Sequence, residues 1–292
     1  MKNNYVIMSD NMGDLPQSFY EEHQIPVMYL SYVMKDEVYR EGHMQSNEEF
    51  YQQMRNGALP TTSQLTPADA REHFLKQLEQ YDAVLCLSFS SGLSGTYNSC
   101  ALAAAQLREE GYKIEVIDTL CASLGQGLLL YKAIELKEKG ADFEEVRQWI
   151  MDNRLHICHV VLADDLFHLM RGGRISKSTA VVGSMLSIKP LIQMNDEGKL
   201  VPTGKSHGRK KGLRALVDLM GSQMGSHRDE NDIFMISHAD CEEDAKKLAE
   251  MVKDAYGIDR CLIHYIGPVI GSHTGPDTIA LFFLGDQRMS RK

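Results

Sequence analysis

The chain has 292 residues, 43% of them hydrophobic and 24% charged, which leaves room for two buried cores and excludes disordered and fibrous classes. A formal net charge of −9 argues against a nucleic-acid surface, with one local exception: five of the ten residues in 205–214 are basic. The six cysteines form no CxxC pair, the start MKNNYVIMSD has no signal-peptide core, and no apolar run approaches a membrane span, so the expectation is reduced thiols in a cytoplasmic protein.

Taken in order, 5–8 reads as a buried strand, Asp14-Leu15-Pro16 opens a helix to Glu22, and 25–33 reads as one β-branched and aromatic strand. Asn47-Glu48-Glu49 starts a helix, 60–67 is a polar loop between two prolines, and a helix follows to about residue 80. The strand 83–87 leads into Ser90-Ser91-Gly92-Leu93-Ser94-Gly95-Thr96-Tyr97, and strong helix formers follow from Cys100. Then come a strand at 113–117, an apolar helix at 125–139, and a helix to Asn153 behind the capping residue Asp142. This alternation predicts an α/β domain with a parallel sheet over 1–155.

Beyond it the rhythm changes. Strands are expected at 160–163, 191–194, 199–202, 234–236 and 280–284, with Asn195-Asp196-Glu197-Gly198 as a hairpin turn. Helices are expected at 166–170, 178–186, 210–220 and 241–256. The reading for 156–292 is an α+β domain with a largely antiparallel sheet.

Chemistry concentrates where the strand ending near Ser88 gives way to a helix. Free N–H groups, the positive end of a helix dipole and several hydroxyls meet there, which suits an anion. Other motifs fail on register. Gly92-Leu93-Ser94-Gly95 is one residue short of a nucleophile elbow, and Gly204-Lys205-Ser206 lacks the upstream glycine of a phosphate loop. Gly125-Gln126-Gly127 lacks a third glycine. In His156-Ile157-Cys158-His159, strand alternation points His159 away from His156 and Cys158, so no metal set forms. Arg171-Gly172-Gly173-Arg174-Ile175-Ser176 and 267–276, with three glycines and His273, look like built loops.

In this order and spacing, Ser9-Asp10, Asp14-Leu15-Pro16, Thr62-Ser63-Gln64, 90–97, Val116-Ile117-Asp118-Thr119, 172–176, Ile188-Lys189-Pro190 and 267–276 resemble the DegV family, the FakB-type fatty-acid-binding subunits of bacterial fatty acid kinase. The departures from its usual pattern are Asn11-Met12, Glu41-Gly42 and Leu65, which bear on chain-length preference. The resemblance implies a long-chain fatty acid in a tunnel between the two domains and no other cofactor or metal. The protein itself is not a catalyst. A separate ATP-dependent kinase phosphorylates the bound acid for phospholipid synthesis. Transient contact with a membrane surface would serve lipid exchange, and nucleic acid is no partner.

The residues expected at the carboxylate are Thr62, Ser63, Ser94, Gly95, Arg174, His273 and Thr274. A buried carboxylate costs several kcal/mol to desolvate, and each hydrogen bond to it returns about 1.5–3 kcal/mol, so two or three donors are needed. About 15 methylenes at ~0.8 kcal/mol each supply roughly 12 kcal/mol gross, against association costs of ~4–15 kcal/mol. Arg209, Lys210 and Lys205 are expected to dock the kinase, because positive charge in a helix's first turn opposes the dipole. Two alternatives stand beside this: an acyl hydrolase using Ser94, and a module for another anionic small molecule.

Overall fold

The computed structural model describes residues 4–176 and 188–289. In chain order the first half runs β1 (Tyr5–Asp10), α1 (Gln17–Glu22), β2 (Val27–Met28), β3 (Ser31–Met34), β4 (Glu37–Tyr39), α2 (Asn47–Arg55), β5 (Thr61–Ser63) and α3 (Pro67–Leu78). It continues with β6 (Ala83–Ser88), α4 (Thr96–Glu109), β7 (Lys113–Asp118), α5 (Leu124–Glu138) and α6 (Phe143–Asn153). Strands β2-β1-β6-β7 form a parallel sheet. The central strands β1 and β6 are buried along their whole length, as parallel strands covered on both faces should be. Ser46, Thr66 and Asp142 close capping boxes on α2, α3 and α6, fixing those helix starts locally.

The second half runs β8 (Ile157–Leu162), α7 (Phe167–Arg171), β9 (Ile188–Met194), β10 (Leu200–His207), α8 (Arg209–Met224) and β11 (Ile233–His238). It ends with α9 (Glu242–Tyr256), β12 (Arg260–Tyr265), α10 (Pro268–Thr274) and β13 (Ile279–Leu284). The sheet order is β10-β9-β8-β13-β11-β12, antiparallel throughout except for the parallel pair β11/β12. One face of this sheet packs α8 and α9 through Cys158, Val160, Leu162, Phe234, Ile236, Leu281 and Phe283. The other face turns toward α5, which is apolar nearly all round and is buried between the two sheets.

Three expectations are corrected. The stretch 25–33 is two strands in two sheets, because the Asn11 side chain takes the Leu30 backbone: Oδ1 accepts from Leu30 N at 2.9 Å and Nδ2 donates to Leu30 O at 3.3 Å. A side chain that satisfies both groups of a residue releases the next one from the ladder. The freed segment founds a small antiparallel sheet, β4-β3-β5, so part of the expected loop at 60–67 is a strand. Its partner lies some thirty residues upstream, with Tyr32 opposite Thr62. Third, 268–274 is a helix. Strand β12 escaped the sequence reading, and the helix expected at 178–186 lies outside the described residues.

Candidate functional site

Alternate residues of the second sheet form the floor of a cavity of about 420 Å³. One rung across it is Ile192–Val161–Ala280–Ser237, paired strand to strand, and His159, Met194 and Phe282 also face the space. Cys158 and Val160 face α8 and α9 instead, as period-two alternation requires. Met12, Leu30, Phe89, Ala122, Ile266, Val269 and Ile270 close the cavity from the other side. Its size and largely apolar wall are those of a small-molecule site.

Polar groups gather at one end. Strand β5 brings Thr62 to α10, where Thr62 Oγ1 and His273 Nε2 are 2.8 Å apart, while His273 Nδ1 has no partner among the described residues. Burial first, then the Arg174, Arg171 and His168 charges, pushes the His273 pKa down to about 3, so the ring is neutral at physiological pH. Its position depends on Gly172, where an added Cβ would lie 2.2 Å from His273 Nδ1. Arg171 donates to Pro60 O and Ser272 O, both at 2.9 Å, tying the small sheet to α10.

Ser94 also lines the cavity. Its Oγ accepts from Thr96 N at 3.2 Å and lies 3.0 Å from Thr96 Oγ1, so it serves the start of α4, whose Gly95 cap offers no side chain. Ser63, Arg174 and Thr274 line the wall too. The Arg174 guanidinium donates to Leu93 O at 3.0 Å and Gly172 O at 2.6 Å. Gly95 is not among the lining residues. It makes way for Gln64, whose Oε1 would lie 2.1 Å from a Cβ at that position, and Gln64 is the one that reaches the cavity.

The interior carries polar groups that sequence reasoning missed. His159 donates from Nδ1 to Ile157 O at 3.1 Å and accepts at Nε2 from Ala122 N at 3.1 Å. This neutral ring fits because Gly125 has no side chain: a Cβ there would lie 2.1 Å from Nε2. Ser123 Oγ donates to Asp14 Oδ2 at 2.5 Å and lies 3.0 Å from Ser237 Oγ. Burial pushes the Asp14 carboxyl up to about 7 against the pull of the Ser123 and Gly267 hydrogen bonds. Asp10, buried with Gln126 and Phe89 N as donors, is pushed up by burial to about 6. The Ser9-Asp10 and Asp14-Leu15-Pro16 motifs were the available signal, but only folding shows that Asp14 meets Ser123.

Arg209 corrects the docking argument. It pairs with Asp244 at 2.8 Å and also donates to Asp277 O at 2.5 Å. Its charge at the start of α8 is therefore matched within the molecule, and the dipole conflict that set it apart disappears. Lys205 and Lys210 are exposed. Gly204-Lys205-Ser206 lies within β10, where no phosphate loop can form. Among the described residues no His, Cys, Asp or Glu cluster could hold a metal, and no helix is long and apolar enough to cross a membrane.

Residues 4–286 match the family described as "Uncharacterised protein, DegV family". A DegV domain-containing protein of Clostridium perfringens is 41% identical over 97% of this chain and 98% of its own length. Among solved structures, one titled for fatty acid binding of a DegV family protein from Thermus thermophilus superposes with a TM-score of 0.84 at 29% identity, covering 97% of this chain and 99% of that one. A stearic-acid-binding protein from Eubacterium ventriosum does so with a TM-score of 0.84 at 26% identity, covering 96% and 98%. The chain belongs to the DegV family.

Proposed function

We propose that this DegV-family chain binds a long-chain fatty acid in the cavity between its two halves, taken as domains 1–155 and 156–292, and presents the carboxylate to a separate ATP-dependent kinase, as a FakB-type subunit does. The observation that carries the reading is the cavity itself. It is an apolar space of about 420 Å³ with hydroxyls and a neutral imidazole gathered at one end, in a chain whose structural neighbours are described as fatty-acid-binding.

The head group would take hydrogen bonds from Thr62, Ser94 and His273, with Ser63, Gln64 and Thr274 at its border. Arg174 gives Nε and Nη1 to the Leu93 and Gly172 carbonyls, so it positions the Leu93–Ser94 loop, and from the cavity wall it stands at the border of the head group. Hydroxyls and a neutral ring hold the carboxylate without a close ion pair, which leaves its oxygen nucleophilic. In the kinase complex that oxygen would attack the γ-phosphorus of ATP, forming the acyl O–P bond as the bond to ADP breaks. The product acyl phosphate would feed phospholipid synthesis. The chain contributes binding and orientation, not catalysis.

Lys205 and Lys210 remain the candidate docking cations for an acidic kinase surface, without Arg209. A cytoplasmic location and passing contact with a membrane surface fit an acid collected from lipid. The Ser94 hydrolase reading loses support, since His273 Nε2 faces Thr62 Oγ1 and the Ser94 hydroxyl pairs with Thr96 rather than with a base. Chloroform extraction of the purified protein followed by mass spectrometry tests the proposal. A non-covalent fatty acid in the extract is expected. An acyl-serine adduct, or only nucleotide or sugar ligands, overturns it.

A further inference from the structure

Asp14 touches both halves of the molecule from within. It sits in the left-handed region, at φ 50°, where a short polar side chain is tolerated. Its carboxyl accepts from Gly267 N at 2.9 Å through Oδ1 and from Ser123 Oγ at 2.5 Å through Oδ2. Gly267 is the cap of α10, the helix that carries His273, and α10 has no side-chain cap of its own. A Cβ at Gly267 would lie 2.8 Å from Asp14 Oδ1, so the glycine permits this contact. Ser123 is the cap of α5, at φ 52°, and it borders the cavity beside Ala122. One carboxyl thus holds the start of the head-group helix and a strained corner of the tail wall.

We propose that Asp14 is a positioning residue, a proton-sensitive clasp that sets α10 and the Ala122–Ser123 wall in the closed arrangement and relaxes both when it ionises. Two hydrogen bonds from neutral donors do not offset the cost of a full negative charge at a buried site. The groups facing Asp14 do not relieve that cost. Asp10 is a second buried acid and raises it. His264 donates from Nδ1 to the Asp14 carbonyl at 2.9 Å, and burial lowers its own pKa, which leaves it neutral. Tyr20 of α1 and Tyr51 of α2 are neutral phenols whose pKa values are raised by burial and then by Asp14. Ser237 of β11 is neutral. No cation faces the carboxyl among these neighbours, so ionisation near pH 7 works against the closed form. A group whose pKa is raised on folding stabilises the fold fully at low pH and loses that contribution as pH climbs to the folded value.

The exchange half of the test rests on the fatty-acid reading, and the other half does not. In ligand-free full-length protein, hydrogen exchange of the 267–274 amides should speed up as pH rises toward about 7 and level off above it, after correction for intrinsic rates, by at most about tenfold per pH unit for one proton. Asp14→Asn keeps an acceptor for Gly267 N and should flatten that slope. Asp10, raised to about 6, has lost its own contribution by then, so the slope between about 6 and 7 belongs to Asp14. In loaded protein, release of radiolabelled oleate to phosphatidylcholine vesicles should follow the same slope and lose it in Asp14→Asn. A slope unchanged in the variant, or no slope in the parent, overturns the clasp. If Asp14→Asn does not fold, Ser123→Ala is read instead. Losing one hydrogen bond to the ionised form should raise the pH at which exchange levels off, and an unmoved levelling point overturns the proposal. If the amide slope vanishes in Asp14→Asn while the protein takes up no oleate, the clasp stands and the fatty-acid reading falls.

Discussion

The two ends of the cavity are built in opposite ways. At the polar end, short pieces from far apart in the chain (β5, the corner before α4, the turn after α7, and α10) each supply one or two polar atoms. They are held by hydrogen bonds and by close approaches at Gly172 and Gly95. The floor of the apolar wall is one face of a single sheet, and its residues are set by register. Point contacts in the first case and a regular lattice in the second mean that the two ends should fail differently. A polar-end substitution removes one bond and little structure, whereas a wall substitution changes the room available.

The largest effect is expected at the wall. Ala280→Phe puts a ring in the middle of the Ile192–Val161–Ala280–Ser237 rung. Overpacking costs about 1–3 kcal/mol of stability and fills much of the space a long tail would need. The purified variant should melt a few degrees lower and carry no long-chain acid, as read by extraction and mass spectrometry. Undiminished loading would place the tail outside this cavity.

At the polar end, Ser94→Ala should keep the fold and weaken kinase-dependent acyl-phosphate formation by roughly 10- to 150-fold, one hydrogen bond to a charged group at ~1.5–3 kcal/mol. Thr62→Val and His273→Ala should act in the same direction. If all three turned over at the parent rate, the head group would have to sit elsewhere.

The polar end was readable because its atoms fall in short strings rich in Ser, Thr, Gly and His, such as 62–64, 90–97 and 172–176. The wall was not. Val161, Ile192 and Ala280 are ordinary strand residues, and which face they take depends on pairing and on what each face packs against. The same reason explains the small sheet, where Asn11 cuts a continuous β-branched run by hydrogen bonds that no periodicity reveals. The parallel sheet and capped helices of the first half were legible because caps and strand–helix alternation are local signals. Arg209 shows the converse error: its charge looked misplaced on α8 until Asp244 of α9 appeared beside it.

Smaller effects separate these charges. Arg209→Glu should cost about 1–3 kcal/mol, since it sets a carboxylate against Asp244 in a half-buried setting, and urea melts would show it. Lys210→Glu is expected within about 0.5 kcal/mol of the parent, while slowing acyl-phosphate formation at limiting carrier and low salt. Equal stability of the two variants would contradict the pairing, and a parent rate for Lys210→Glu would remove the docking role.

A further effect is expected on pH dependence. His273, depressed to about 3, contributes stability that is present above its unfolded value near 6.5 and is lost as pH falls from there toward 3. His273→Gln should remove part of that acid loss, and thermal melts at pH 7 and pH 4 would register it. Asp14 is expected to run the other way, losing its contribution as pH rises toward about 7.

The bond between Thr62 and His273 joins residues 211 positions apart, and that from Tyr51 to Ile266 joins residues 215 apart. Contacts of that separation close long loops and form slowly, because the entropy of closure must be met before they stabilise anything. On the ribosome, where chains emerge at about 5–20 residues per second, β5 would wait roughly 10–40 seconds for α10. Until His273 leaves the exit tunnel, the polar end has its hydroxyls but not its imidazole. Completion of that end of the cavity is thereby deferred until α10 has emerged, and a chain terminated before α10 would lack it.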